Sequence, residues 1–357
     1  MPTLPADLIN LDEFSNISHY VIITDDAVRK IYGEQLQEML QNQCGSSDIC
    51  HRVELLSFPA GEQSKSQETK THLEHAMFEA GCNRDTLVIA LGGGVVGDIA
   101  GFVAATFMRG IPYIQIPTTL LAMVDSSVGG KTAINTPYGK NLVGAFWPAK
   151  KMILRPELLA SLSREHILDG LVESVKIFIT HSKSGLGFVE ENFDEIMAKD
   201  PAILKELIER SVSLKEYVVG RDKREQGERV LLNFGHTAGH AIELLSDYKI
   251  MHGHAVALGL LIEAKMAQLS GFLPEEDFKK VEAIIFKLGF KPEELKYYPA
   301  DKLFNAMQLD KKSIDGHVRY VVLTGIGATL EEGDKFAHDL DPAILIQALD
   351  YYVNPEN

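Results

Sequence analysis

Over its first 150 or so residues the chain alternates short apolar runs with stretches of helical periodicity. YVIIT (20–24) precedes a helical pattern over 27–43, RVELLSF (52–58) precedes one over 67–80, and TLVIALGGG (86–94) leads through a further helix to YIQIPTT (113–119). Continuous apolar runs separated by amphipathic segments predict βαβ units around a parallel sheet. After Pro156 the pattern changes, and long amphipathic stretches over 201–219, 237–245, 255–270 and 276–288 predict a mainly helical region. The run HVRYVVLTGIG from His317 predicts a strand or hairpin within it, and Pro342 predicts the opening of a terminal helix. The expected architecture is therefore an α/β Rossmann-like N-terminal domain over 1–154 and a mainly α-helical C-terminal domain over 155–357. No repeat or flexible linker separates them, so a packed junction is expected, and junctions of this kind commonly hold ligands.

Residues 86–108 are almost wholly apolar and about as long as a membrane span. Five glycines and Asp98 lie in that stretch, and a strand covered on both faces followed by a buried helix gives the same profile. No membrane span is predicted. The formal charge of −15, from 35 basic and 50 acidic residues, disfavours general affinity for nucleic acid or an anionic membrane surface. A basic cluster in such a chain must be local, which points to a small anionic ligand. Cys44, Cys50 and Cys82 make neither a CxxC pair nor an even disulfide set, so free thiols in a reducing compartment are expected. The N-terminal residues lack a basic segment followed by an apolar one, and a cytoplasmic location is predicted.

LGGGVVGD (91–98) follows an apolar strand and precedes a helix. Its backbone N–H groups could face a diphosphate at the positive end of the helix dipole, although the spacing is not GxGxxG and a tight packed turn accounts equally for the glycines. Upstream, PAGEQSK (59–65) offers a carboxylate for a ribose hydroxyl and an ammonium for phosphate, and alone it reads equally as a surface turn. The stretch 109–141 is rich in glycine and polar residues for a segment flanked by core strands, as ligand-holding loops are. GGKT within it ends like a phosphate-binding P-loop, but the GxxxxGK spacing fails, since Asp125 stands five residues before Gly130 where the first glycine is required. His236 and His240 stand four apart on one helical face, and His252 and His254 follow. Four histidines within nineteen residues, with Glu173 in a separate helical segment, predict a site for zinc or a similar divalent ion, without deciding which of them bind.

Taken together, FPAGEQSK, LGGGVVGDIAGFVAATFMRG, IPTTLLAMVDSSVGGKTAIN, GKNLVGAFW, ERVLLNFGHTAGHAIE and MHGHAV resemble the 3-dehydroquinate synthase family, in the expected order across about 59–257, and DKK (310–312) fits as well. The resemblance implies a carbon–oxygen lyase acting on phosphates. It would convert 3-deoxy-D-arabino-heptulosonate 7-phosphate to 3-dehydroquinate and phosphate in the shikimate pathway, with NAD+ reduced and regenerated in each turnover. It also implies NAD+ contacts at Glu62, Lys65, Gly93, Gly94, Val95, Asp98, Thr118, Thr119, Lys140 and the Leu158, Leu159, Ala160, Ser161 turn. Zinc, with cobalt as a possible substitute, would be held by Glu173, His236 and His252. Arg109, Asp125, Lys131, Asn141, Lys176, Lys215, Arg229, Asn233 and Lys311 would surround the anionic sugar phosphate, where charge-assisted bonds are strong. Glu225 and His240 match proton-transfer positions, alongside Lys131, Lys176, Arg229 and Asn233 in the catalytic set. Arg109 matches an arginine that reaches a neighbouring subunit's phosphate site, which implies a homodimer.

One departure concerns His254, where most members carry glutamate; it is expected to support the ligands from behind rather than to bind metal. HGHAV also occurs in related cyclases that use sedoheptulose 7-phosphate, yet those relatives depart from DSSVGGKTAIN, which is intact here. Metal-dependent polyol dehydrogenases share the two-domain plan but would not need the cationic set, and a non-catalytic NAD-binding protein would not need the metal residues.

Overall fold

The structure, a computed structural model, describes residues 2–14, 16–45, 50, 52–308 and 318–354. The chain divides into two compact units, Met1–His166 and Ile167–Asn357.

In the first unit, β1 (His19–Asp25), β2 (Arg52–Phe58), β3 (Thr86–Gly92) and β4 (Tyr113–Pro117) form a parallel sheet in the order β2-β1-β3-β4. The register sets Ile22 beside Leu55 and Ile89, and Ile89 beside Ile114. Every residue of β3 is buried, which is why its sequence lacks alternation. The crossover helices are α1 (Asp26–Val28), continued through a π-turn at Arg29–Gly33 into α2 (Glu34–Cys44), then α3 (Gln67–Glu79) and α4 (Gly94–Thr106). Val96, Ile99 and Val103 of α4 pack with Val21, Val88, Leu73 and Met77 into one core. The apolar stretch 86–108 is thus a buried strand and helix, and no described helix is long and apolar enough to cross a membrane. An antiparallel hairpin, β5 (Lys131–Thr136) with β6 (Gly139–Phe146), occupies the segment expected to be polar loop. Strand pairing there is carried by the backbone, so the glycines and polar side chains did not signal it.

One expectation is corrected in this unit. Cys44 and Cys50 are joined, with Cα atoms 5.1 Å apart, and only Cys82 is a free, buried thiol among the described residues. Cys44 ends α2, and a Cα separation of 5.1 Å lies inside disulfide reach. Cysteine content therefore gives no support for a reducing compartment.

The second unit is helical: α5 (Arg164–His181, beginning just before the division), α6 (Lys183–Glu191), α7 (Phe193–Met197), α8 (Pro201–Arg221), α9 (His236–Leu245), α10 (His252–Leu269), α11 (Glu275–Lys287), α12 (Ala300–Gln308) and α13 (Pro342–Val353). Short strands β7 (Arg319–Tyr320), β8 (Leu323–Gly325), β9 (Ala328–Thr329) and β10 (His338–Asp339) pair as β7 with β10 and β8 with β9. The predicted strand thus begins at Arg319; His317 lies outside the described residues, as does Lys311. Helices α9 and α10 cross at glycines, for a Cβ on Gly259 would stand 2.0 Å from the Gly235 carbonyl oxygen. That close crossing matters because His236 and His252 begin these two helices.

Candidate functional site

Polar groups of the first unit gather at the carboxyl ends of β2, β3 and β4, where parallel sheets characteristically bind ligands. After β3, Gly93 is the N-cap of α4 and supplies no capping side chain. Side chains at this turn have no room: a Cβ on Gly93 would meet Thr119 Cγ2 at 3.1 Å, and one on Gly94 would meet Ser126 Oγ at 3.0 Å. Thr118 donates its N–H to the Gly92 carbonyl at 2.9 Å, which joins the Thr118-Thr119 segment to the glycine turn. Bare N–H groups at the start of a buried thirteen-residue helix suit an anionic diphosphate.

Beside that turn, the buried Lys65 ammonium lies 2.5 Å from Asp98 Oδ2 and donates to Asn141 Oδ1 at 2.5 Å. Burial pushes the Asp98 carboxyl upward and Lys65 opposes the shift. Asn135 joins this group: its amide donates to Glu62 Oε1 at 2.7 Å, its backbone N–H to the Lys65 carbonyl at 2.8 Å, and its Oδ1 accepts the Asn141 N–H at 3.0 Å. The structure therefore unites Glu62, Lys65 and Asp98 with Asn141, which the motifs had assigned to different ligands. Asn135 was missed, although it stands inside DSSVGGKTAIN. Leu158 and Leu159 have fully buried side chains, and their turn is held by the Tyr32 hydroxyl donating to the Leu158 carbonyl at 3.1 Å. Only Ala160, Ser161 and backbone remain to meet a ligand there. Lys131 and Lys140 lie on the β5–β6 hairpin, and Arg109 is exposed with a left-handed φ of 69°.

In the second unit the buried Glu173 carboxylate, from the middle of α5, faces two imidazoles. Its Oε1 lies 3.7 Å from His236 Nε2 and 3.5 Å from His252 Nε2, and its Oε2 pairs with the buried Lys176 ammonium. Tetrahedral bonds of zinc length set neighbouring donors about 3.4 Å apart, close to both carboxylate–imidazole separations, and the three donor atoms all lie within 4.8 Å of one another, which suits a divalent cation. A second group of potential donors, His240, Glu243 and His252, shares His252 with the first. Partial burial pulls the His252 imidazolium down, but hydrogen bonds to Glu173 and Glu243 outweigh it and hold its pKa up to about 10 while no cation is bound. His254 belongs to neither group among the described residues; its Nε2 is 2.9 Å from Glu294 Oε2 and its ring lies against Phe290.

The helices that carry these potential donors hold one another. Both α9 and α10 start without a capping side chain of their own. Glu263 of α10, buried in an apolar stretch, accepts the N–H groups of Gly235 at 2.7 Å and Ala238 at 3.0 Å at the start of α9. Asp169, one turn before Glu173 on α5, accepts the Gly253 N–H at 2.5 Å at the start of α10. These carboxylates supply the missing caps and favour the positive helix ends. Neither was singled out from sequence, though a glutamate inside ALGLLIEAKMA and an aspartate in helical phase with Glu173 were available signals.

Nearby, Glu225 Oε1 accepts from the Asn233 amide at 2.7 Å, on a loop whose φ at Glu225 is 58°. Asp222 fixes that loop by accepting the N–H groups of Gln226, Gly227 and Arg229; burial opposes ionisation, yet these bonds hold its carboxyl below the usual range. Arg229 is buried and donates to the Lys223 carbonyl at 3.1 Å, and Lys215 is buried on α8.

Sequence profiles of a known family match both halves of the chain, the 3-dehydroquinate synthase N-terminal region over 55–169 and the C-terminal region over 170–313. The chain belongs to the 3-dehydroquinate synthase family. A curated 3-dehydroquinate synthase of Caldanaerobacter subterraneus subsp. tengcongensis is 41% identical over 307 residues, covering 86% of this chain and 84% of the relative. Among solved structures, 2-epi-5-epi-valiolone synthase from Streptomyces hygroscopicus subsp. jinggangensis, with NAD+ and Zn2+ bound, is similar with TM-score 0.86 and 27% identity over 99% of this chain and 96% of that one. A 2-deoxy-scyllo-inosose synthase complexed with carbaglucose-6-phosphate, NAD+ and Co2+ gives TM-score 0.84 at 27% identity over 94% of this chain and 91% of that one. The expected combination of a parallel-sheet region and a helical region is thus the fold of this family.

Proposed function

We propose that the chain acts as a carbon–oxygen lyase, converting 3-deoxy-D-arabino-heptulosonate 7-phosphate to 3-dehydroquinate and phosphate with NAD+ and a divalent metal. The observation that carries the reading is the convergence of Glu173, His236 and His252 in a chain whose two halves both match this family. When bound, the metal supplies Lewis-acid polarisation of a substrate hydroxyl and the nicotinamide a hydride acceptor.

The chain's own groups have distinct tasks in this proposal. Backbone N–H groups of the Gly93-Gly94-Val95 turn bind the dinucleotide phosphates, Glu62 accepts a ribose hydroxyl, and Lys65 with Asp98 fixes the loop between them. Lys176, Lys215, Arg229 and Asn233, with Lys131, Asn141 and Asp125, bind the substrate's phosphate, carboxylate and hydroxyls. Buried cations are effective here because charge-assisted bonds strengthen where water is excluded. Glu225, hydrogen-bonded to Asn233, and His240, at the margin of the donor group, hold or move protons at the reacting carbons. Lys311 is carried in the substrate set on its motif alone.

Homodimerisation and a cytoplasmic location belong to the same proposal. Support for self-association comes from the β5–β6 hairpin, which exposes Tyr138, Leu142, Val143 and Phe146. Light scattering of the purified chain measures the mass directly.

The deciding assay supplies metal-loaded protein with NAD+ and the heptulosonate phosphate and follows phosphate, carbocycle and NADH together. Phosphate and dehydroquinate without net NADH are expected. Cyclisation of sedoheptulose 7-phosphate instead, or net NADH from a polyol, would transfer the assignment to another cyclase or to a dehydrogenase.

A further inference from the structure

Glu243 takes no part in the reaction proposed above, yet it is buried on α9 and touches the donor group. Its Oε2 lies 3.2 Å from His252 Nδ1, while His252 Nε2, on the opposite side of the ring, lies 3.5 Å from Glu173 Oε1. Each ring nitrogen of His252 therefore has its own carboxylate. An imidazole that gives one nitrogen's lone pair to a cation carries its hydrogen on the other, and that hydrogen needs an acceptor if the ring is to stay in one orientation. Glu243 stands seven residues after His236, two turns along the same helical face. One helix thus carries both a ligand and the group that orients a ligand from α10.

We propose that Glu243 is a positioning residue of the metal centre: it accepts the Nδ1–H of His252 and so presents the Nε2 lone pair beside Glu173 and His236. The inference rests on the ligand assignment made under the proposed function. Glu243 does not bind the cation in this arrangement, and the His240–Glu243–His252 group is the rear support of one site rather than a second site. A negative acceptor behind the ring also makes the ligating nitrogen a stronger donor, as such outer carboxylates generally do for metal-bound histidines.

The test uses the full-length chain stripped of metal, with Zn2+ and Co2+ titrated against a chromophoric chelator. Glu243→Gln keeps the size and an acceptor without the charge, and Glu243→Met removes the acceptor at similar length. Both variants are expected to bind one ion per chain with affinity reduced about tenfold for Gln and up to about a hundredfold for Met. Metal-free melting temperatures within a few degrees of the parent's would separate this from a general packing defect. Unchanged affinity in Glu243→Met overturns the positioning role while leaving the ligand assignment intact. Complete loss of binding in Glu243→Gln, with retention in His236→Ala, also overturns it and makes Glu243 a direct ligand. A parent chain that binds no ion overturns the ligand assignment, and the inference falls with it.

Discussion

The Glu263 carboxylate on α10 accepts the backbone N–H of Gly235 at 2.7 Å, immediately before His236, the proposed metal ligand on α9. With the second bond to the Ala238 N–H at 3.0 Å, it serves as the cap that glycine cannot provide. Glu263→Ala leaves two buried N–H groups without their acceptor, and a charged acceptor is worth about 1.5–3 kcal/mol per bond. The metal-free protein is expected to lose about 3 kcal/mol or more and to bind zinc more weakly, because the first turn carrying His236 frays. Chemical denaturation and chelator competition measure the two effects; a variant matching the parent in both would remove Glu263 from the scaffold of the site.

The helix crossing gives a steric prediction. A methyl at Gly259 would stand 2.0 Å from the Gly235 carbonyl oxygen, a backbone atom that cannot move without displacing His236. Gly259→Ala is expected to cost several kcal/mol by overpacking, despite alanine's better helix propensity. Gly220→Ala, in α8 with open space around the added methyl, is the control and should be neutral or slightly stabilising. Thermal melts of the two variants compare them directly.

Lys65 and Asp98 make a prediction for the first unit. The ammonium is buried, with 5% of its side chain exposed, and its carboxylate partner is drawn toward the neutral form by burial. Lys65→Met leaves Asp98 without its nearby cation, at a cost of about 3–5 kcal/mol if the carboxylate stays charged and less if it takes up a proton. NAD+ affinity, measured by calorimetry, should fall with it. Asp98→Asn alone should be milder, because asparagine can still accept from the ammonium.

The strands and helices of the first unit were legible because their apolar runs are long and their periodicity changes between elements, as at YVIIT and 67–80. The β5–β6 hairpin was not, since glycine and polar residues in DSSVGGKTAIN mask a pairing made by backbone groups. His236 and His252 stood out with His240 and His254 by residue type and spacing, and the choice among the four came from the family resemblance. Glu243, Glu263 and Asp169 did not: their roles depend on which helix end or ring nitrogen they meet across more distant sequence. The Cys44–Cys50 link was missed because counting cysteines does not show which two lie within bridging distance.

The pH dependence of metal binding follows from His252, whose imidazole is held up to about 10 in the metal-free chain by Glu173 and Glu243 against the effect of burial. An unfolded histidine titrates at about 6.5. The raised folded value means that protonated His252 stabilises the metal-free fold fully below about pH 6.5, and that this contribution is lost as pH rises toward 10. Metal requires the neutral ring, so at pH 8 binding must displace that proton. Calorimetry in buffers of different ionisation enthalpy should therefore count about one proton released from His252 per zinc, and affinity should rise about tenfold per pH unit between 7 and 9 after correction for buffer and hydroxide competition. Glu243→Gln removes one of the two carboxylates that hold the proton, so its proton release at pH 8 should be smaller even though its zinc affinity is lower. A parent protein with pH-independent affinity over this range would mean that His252 is already neutral there, and that the two carboxylates do not govern its charge.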